Sequence, residues 1–153
     1  LLKKVILIGP DEEAFSRVEP EFKEKVEFLS RERLLEMEET EVSAFVKNQV
    51  GEYPLYISID KDVLCETDAD TNWSQGDMRL STMLECLGAV KEKCAERISR
   101  ILGVDICGEC DVTEPGNSAL NDMANAALLE FFTSTDVGED IEENKNGTTG
   151  GNG

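Results

Sequence analysis

The sequence contains no histidine among its 153 residues. Histidine is the usual general base near neutral pH and a common zinc ligand. Its absence excludes a Ser-His-Asp triad, a histidine general base and a histidine-ligated zinc ion within this chain. Catalysis by these residues would therefore depend on carboxylates, lysine, cysteine or a bound metal.

Basic residues and long apolar runs are also scarce. Fifteen Lys and Arg stand against 33 Asp and Glu, which gives a formal net charge of -18. This charge repels phosphate backbones, so we expect no nucleic-acid partner. No stretch approaches the roughly 20 apolar residues of a membrane-spanning helix, so we expect no membrane partner. Five cysteines are an odd number, and three of them are far in sequence from the close pair Cys107 and Cys110, so a secreted disulfide framework is not indicated and we expect a cytoplasmic protein.

Apolar strand-like segments alternate with segments of helical periodicity. We expect strands at 5–8, 26–29, 55–59 and 101–107, and helices at about 42–50, 80–98 and 118–132, with Ser81 as an N-cap. This alternation predicts an α/β fold of three layers, with a mostly parallel sheet flanked by helices on both faces. We expect residues 1–133 to form this domain and residues 134–153, acidic and then rich in Gly and Asn, to be a disordered tail.

The central stretch runs from Tyr56 through an apolar strand into Asp60 and Asp62. The strand period of two predicts that both carboxylates point to the same side, about 6 to 7 Å apart at Cα, and that Lys61 points away. Such a pair can bind a divalent cation, and all-oxygen ligands favour Mn²⁺ or Mg²⁺ over Zn²⁺. In the alternative interpretation, one aspartate caps the following turn and the other pairs with a lysine such as Lys61. The spacing leaves both interpretations open.

Further polar candidates follow the same strand and the last one. In parallel sheets ligands bind at the carboxyl ends of the strands, where Asp105 and Glu109 are expected to lie near Asp60. The loop after the acidic strand carries Trp73 and Gln75, which we consider as substrate contacts. Alternatively, this loop is anchored on the core.

A Cys-x-x-Cys motif, Cys107 to Cys110, follows the last strand. A redox dithiol needs a lowered thiol pKa, whereas the neighbouring acidic residues raise it. A zinc knuckle needs a second cysteine pair, which the other three cysteines do not supply. We therefore expect ordinary reduced thiols.

Three segments together resemble one enzyme family. Residues 58–64, Ser-Ile-Asp-Lys-Asp-Val-Leu, resemble the Ser-x-Asp-x-Asp segment of the ureohydrolases, which include arginase, agmatinase and formiminoglutamase. Residues 80–85 resemble the Leu-Thr-x-x-Glu helix start of that family, and residues 102–106 resemble its closing Gly-x-Asp-x-x-Glu strand. With residues 72–76, the pattern is most similar to an uncharacterised branch of arginase-like proteins with the arginase/deacetylase fold.

The resemblance implies a metal-dependent hydrolase that cleaves a C–N bond in a small cationic guanidino or amide substrate. It assigns Asp60 and Asp62 to a manganese centre and Glu109 to the substrate's guanidinium group. The histidine-containing family motifs, Gly-Gly-Asp-His and Asp-Ala-His-x-Asp, have no counterpart here. We therefore expect the C-terminal portion of an arginase-like protein, with an incomplete metal site and no appreciable activity by itself.

Two other functions remain open at the level of sequence. One is a non-catalytic binding or scaffold module with the same fold, and an oligomer is compatible with either. The other is a phospho-receiver-like domain in which Asp11 and Glu12 accompany Asp60 as the phosphate acceptor. That domain type expects a lysine at the end of a late strand, and residues 101–110 contain none.

Overall fold

The computed structural model describes residues 2–96, 99–110 and 118–134. The expected disordered tail, except Ser134, lies outside these ranges. None of the helices within them is long and apolar enough to cross a membrane. The elements in chain order are β1 Val5–Ile8, α1 Glu12–Ser16, α2 Pro20–Lys23, β2 Val26–Leu29, α3 Arg31–Leu34, α4 Glu39–Gln49, β3 Leu55–Asp60, a 3-10 turn Lys61–Val63, α5 Leu80–Ala95, β4 Ile101–Cys107 and α6 Ser118–Thr133.

The four strands form two parallel pairs. β1 pairs with β2, with Val5 opposite Val26. β3 pairs with β4, with Ser58 opposite Asp105 and a register shift after Leu55. The predicted α/β class and parallel strands are confirmed, but in the described ranges the strands form two separate sheets.

Helix α5 packs against both sheets and joins them. Its residues Met83 and Leu87 belong to the apolar cluster of the second sheet, together with Ile59. Its residues Cys86 and Ala89 belong to the cluster that contains α4 and the first sheet. The apolar periodicity that predicted this helix includes Met83 and Leu87, whereas Cys86 and Ala89, which are buried toward the first sheet, lie outside the predicted stripe. Packing on α5 thus connects sheets that share no strand pairing in the described residues.

The two sheets differ in how their faces are covered. In the first sheet, Phe28 stacks on Phe15 of α1 with ring centroids 4.1 Å apart, whereas the next residue, Leu29, is fully buried in the cluster that includes α4. In the second sheet, Ile57 and Ile59 face the core while Tyr56 and its neighbours at alternate positions are exposed. The expected cover of helices on both faces therefore applies to the first sheet only. In the second sheet β3 alternates apolar and polar residues, which is typical of a sheet with one exposed face.

The beginning of α5 corrects one prediction. Ser81 is not the N-cap; Arg79 occupies that position, and the carboxylate of Asp68 accepts a 2.7 Å hydrogen bond from the backbone N–H of Leu80. Ser81 instead donates from its hydroxyl to Glu39 of α4 at 2.7 Å. Burial disfavours the charged form of Asp68, but the hydrogen bonds from Leu80 and Arg79 outweigh it and lower the pKa of Asp68. The cap comes from 12 residues upstream of Leu80, which local sequence rules do not detect.

Candidate functional site

Asp60 is the last residue of β3 and caps the turn that follows. Its Oδ1 accepts a hydrogen bond of 3.1 Å from the backbone N–H of Asp62. This is the capping role that one of the two sequence interpretations assigned to an aspartate. The strand ends at Asp60, so the two-residue period that predicted a shared side for both carboxylates does not extend to Asp62.

Asp62 has a different environment. Its Oδ1 is buried and has no hydrogen-bond partner, and it is the one buried side-chain atom of this kind that the described ranges contain. A buried carboxylate oxygen without a partner is costly, and a cation would relieve that cost. The described residues nevertheless include no group of three His, Cys, Asp or Glu side chains arranged to hold a metal. Hard divalent cations take about six ligands, so Asp60 and Asp62 by themselves would supply only a minor part of such a set.

Gly108 brings the end of β4 against the Asp60 cap. Its φ of +81° lies in the left-handed region. A Cβ atom at this position would lie 2.8 Å from Asp60 Oδ1 and 2.8 Å from the backbone nitrogen of Lys61. Glycine is required here by both the backbone conformation and the close approach.

Lys61 is fully buried and does not pair with either aspartate. Its ammonium forms an ion pair with Glu109 and donates a 2.7 Å hydrogen bond to Asn125 Oδ1 on α6. Asn125 in turn donates to the same Glu109 carboxylate at 3.1 Å. The expected pairing of Lys61 with an aspartate is therefore wrong, and no signal in the sequence indicated Asn125 as its partner.

This ion pair changes the interpretation of Glu109. Burial disfavours its charged form, but hydrogen bonds from Lys61 and Asn125 outweigh burial and lower the pKa of Glu109. The predicted guanidinium ligand therefore already has a cationic partner inside the protein. More than half of the Glu109 side chain, 56%, remains exposed, so its outer surface is still accessible to a ligand.

Asp105 lies on the exposed face of the second sheet, two residues before the end of β4. It accepts a 2.8 Å hydrogen bond from the Ser58 hydroxyl. A hydrogen bond to Asp105 is also the main reason that the pKa of Tyr56 is raised. The alternation of β3 places Tyr56, Ser58 and Asp60 on this face, and that alternation was the signal that could have identified Tyr56 and Ser58.

Cys107 lies opposite Asp60 in the strand register. Burial, followed by the negative charges of Asp60 and Asp105, raises the pKa of the Cys107 thiol. The partner cysteine of the motif, Cys110, is buried, and both are free thiols. The raised pKa agrees with the prediction that neighbouring acids oppose a redox role.

The loop between the 3-10 turn and α5 places its two candidate residues differently. Trp73 is 92% exposed, so it does not anchor the loop on the core. Gln75 points inward, and its Nε2 donates to the carbonyl oxygens of Leu64 at 2.6 Å and Ala69 at 3.2 Å. Gln75 therefore holds the loop together, whereas Trp73 is free to contact another molecule.

An open groove of about 1640 Å³ connects these features. We call it the inter-sheet groove: its walls are residues 2–9, including β1, and residues 53–60, including β3, and its lining includes Met83 and Leu87 of α5. Asp60, Asp62, Trp73 and Gln75 line the groove, whereas Asp105 and Glu109 do not. The structure thus divides the sequence-predicted site residues into two groups.

Comparisons with known proteins give one partial match and no family. No protein-family profile matches the chain. A protein of Thermotoga maritima described as an uncharacterized protein is 35% identical over 85 residues. The match covers 54% of this chain and 32% of the relative, so the chain matches about a third of the length of the protein that it resembles.

Proposed function

We propose that this chain supplies two carboxylate ligands to a divalent metal site of an arginase-like hydrolase. Asp60 and Asp62 are the ligands, Mn²⁺ is the metal, and the substrate is a small guanidino or amide compound whose C–N bond is hydrolysed. The observation that carries the proposal is the buried, unpartnered Oδ1 of Asp62 beside the end of β3. The segment resemblance described above gives the reaction class.

Within such a site the residues of this chain would bind the cation and orient the substrate. Asp62 would offer its unpartnered Oδ1 to the cation, while Asp60 would bind through the carboxylate that also caps the turn. A bound divalent cation would activate water and polarise the substrate bond. The exposed Trp73, which lines the same groove as Asp60 and Asp62, would contact the substrate, whereas Glu109 lies outside this groove.

Two aspartates do not complete a coordination sphere, so the remaining ligands would come from residues outside this chain. The polypeptide by itself is then inactive or nearly so. All five cysteines are free thiols, which agrees with a reducing cytoplasmic location.

A non-catalytic module is the second candidate, and two contacts favour it. Asp60 already caps the 3-10 turn, and Glu109 already pairs with Lys61. Both side chains then have structural roles that persist without a metal. In this case the fold would be kept for binding and the site would be vestigial.

Calorimetric titration with Mn²⁺ separates the two candidates. We expect binding that Asp62→Asn weakens by about tenfold or more, because the substitution removes the charge but keeps the side-chain size. Asp122→Ala is the matched control, since it removes one exposed acidic residue from α6. If Mn²⁺ does not bind at millimolar concentration, or if Asp122→Ala weakens Mn²⁺ binding as much as Asp62→Asn does, the metal-site proposal is refuted and the non-catalytic module remains. Appreciable hydrolysis by the chain alone would refute the claim that its site is incomplete.

A further inference from the structure

The inter-sheet groove lies along the edges of two strands. Consecutive residues of β1 and of β3 line it, including every residue of both strands. Successive side chains alternate between the faces of a sheet, so a cavity above one face would meet alternate residues. Because this groove contacts every residue of β1 and β3, it lies beside the backbone edges of the two strands.

The hydrogen bonds of β1 identify which backbone groups face the groove. The N–H groups of Val5 and Gly9 donate to β2, to the carbonyl oxygens of Lys25 at 2.8 Å and Leu29 at 3.0 Å. In a parallel strand the backbone groups of alternate residues point to opposite edges. The N–H and C=O groups of Ile6 and Ile8 therefore point toward the groove.

β1 and β3 run in the same direction on either side of this space. Near their amino ends, the Lys3 ammonium lies 5.9 Å from the ring centroid of Tyr53. At their carboxyl ends, Gly9 packs directly against the side chain of Val63. An extended segment placed between them can therefore be parallel to both strands at once.

The rim of the groove is unusually apolar for a protein surface. Five large hydrophobic side chains that line it are at least half exposed: Leu2, Tyr53, Tyr56, Trp73 and Leu102. Large exposed apolar side chains gathered around one groove are typical of an interaction site. Two-stranded sheets are also marginal by themselves, which favours a further strand here.

Charge distinguishes the two ends of the groove. At the amino ends of the strands it is lined by three lysines, Lys3, Lys4 and Lys25, and by two glutamates, Glu24 and Glu27. Lys4 pairs with Glu27, whereas Lys3 and Lys25 form no ion pair with another residue in the described ranges, so a net positive charge remains there. At the carboxyl ends the groove is lined by Asp11, Asp60 and Asp62 and by Arg31, whose guanidinium pairs with Asp77. A complementary segment begins with acidic residues and ends with basic residues.

We infer that the inter-sheet groove binds an extended segment of another polypeptide, parallel to β1 and β3. The segment has an apolar centre of four to six residues, about the length of the strands beside it, with acidic residues before it and basic residues after it. Its backbone bonds to the edges of both strands and joins the two sheets into one of five strands. This inference needs no metal, but Asp60, Asp62 and Trp73 belong both to the groove and to the site of the proposed function, so the binding experiments are made in the absence of Mn²⁺.

Two synthetic peptides of identical composition test the inference without metal. The forward peptide has two Glu, four central apolar residues that alternate Val and Ile, and two Lys; the retro peptide has the same residues in reverse order. Trp73 is the single tryptophan and lines the groove, so its fluorescence reports binding. We expect the forward peptide to bind about tenfold or more tightly than the retro peptide, because direction and charge both match.

Hydrogen exchange locates the bound peptide. We expect the amides of Ile6 and Ile8 to exchange at least about tenfold more slowly when the forward peptide is bound, whereas Val5 and Gly9 are already bonded to β2 and change little. A forward peptide with N-methyl groups at alternate central residues should not bind, and this control leaves the protein unaltered. Ile6→Pro should also abolish binding while the β1–β2 pairing is kept, because the N–H that it removes faces the groove.

Several results would overturn the inference. Equal affinity for the forward and retro peptides would show that the groove recognises neither direction nor charge. Binding without slower exchange at Ile6 and Ile8 would place the peptide elsewhere. Sedimentation of the free chain as a dimer, with those amides already protected, would show that a second copy occupies the groove.

Discussion

Removing the carboxylate of Glu109 is expected to expose the cost of burying Lys61. Lys61 is fully buried, and its hydrogen-bond partners are Glu109 and Asn125. Breaking a buried ion pair from one side costs about 3–5 kcal/mol, because a charge is left uncompensated. Glu109 is 56% exposed, so water can partly replace its carboxylate. We therefore expect Glu109→Ala to lower the free energy of unfolding by about 2–3 kcal/mol.

The matched variant is Lys61→Met, which replaces the buried cation with an apolar side chain of similar length. Glu109 is then left half exposed to water, so the loss should stay within about 1 kcal/mol of the wild type. In that background Glu109→Ala should cost almost nothing, and the double-mutant cycle should give a coupling energy of about 2 kcal/mol. Urea denaturation followed by circular dichroism measures all four proteins.

The same ion pair predicts a dependence on pH. The pKa of Glu109 is lower in the folded protein than in the unfolded chain, so the folded state binds the proton less readily. Its contribution is fully present above the ordinary pKa of glutamate and is lost as the pH falls through the lowered value. Glu109→Gln should therefore lose less stability than the wild type between pH 7 and acidic pH. A loss below about 0.5 kcal/mol for Glu109→Ala, or equal acid sensitivity of wild type and Glu109→Gln, would refute the reasoning.

Three further predictions concern single side chains. Gly108→Ala should destabilise the fold by about 2 kcal/mol or more in urea denaturation, because alanine is strained at positive φ and its Cβ would meet Asp60; an unchanged midpoint would contradict this. Asp68→Ala removes the cap of α5 and should cost about 1–2 kcal/mol by the same assay, whereas Asp122→Ala should cost less than about 0.5 kcal/mol. Burial raises the pKa of Cys86 to about 12, so at pH 8 iodoacetamide should leave it unmodified while exposed Cys107 reacts slowly, as mass spectrometry would reveal.

The sequence predicted the strands and long helices well because each carries its own signal. The strand at 101–107 has the predicted bounds, and α5 begins at the predicted Leu80. Hydrophobic periodicity is a local signal, because it depends only on residues that are near one another in the sequence and does not require knowledge of tertiary contacts.

The candidate site was harder to predict because it depends on contacts between distant residues. Glu109 is 48 positions from Lys61, and Asn125 is 64 positions away. The two-residue period also failed at Asp60, where the chain leaves the strand for a 3-10 turn. No spacing rule indicates that a lysine between two aspartates turns into the core to meet a helix that follows much later.

Helix α5 has a consequence for how a change in one sheet reaches the other. The sheets share no strand pairing in the described ranges, so their separation depends on side-chain packing, to which α5 contributes together with Ile8 and Leu34, which contact both apolar clusters. Ala89 is 1% exposed in the first cluster, whereas Met83 in the second is among the residues that line the groove. A larger residue at 89 would displace α5 as a rigid rod, and the width of the groove would change with it. The helix is thus a spacer whose packing on one sheet sets the geometry at the edge of the other.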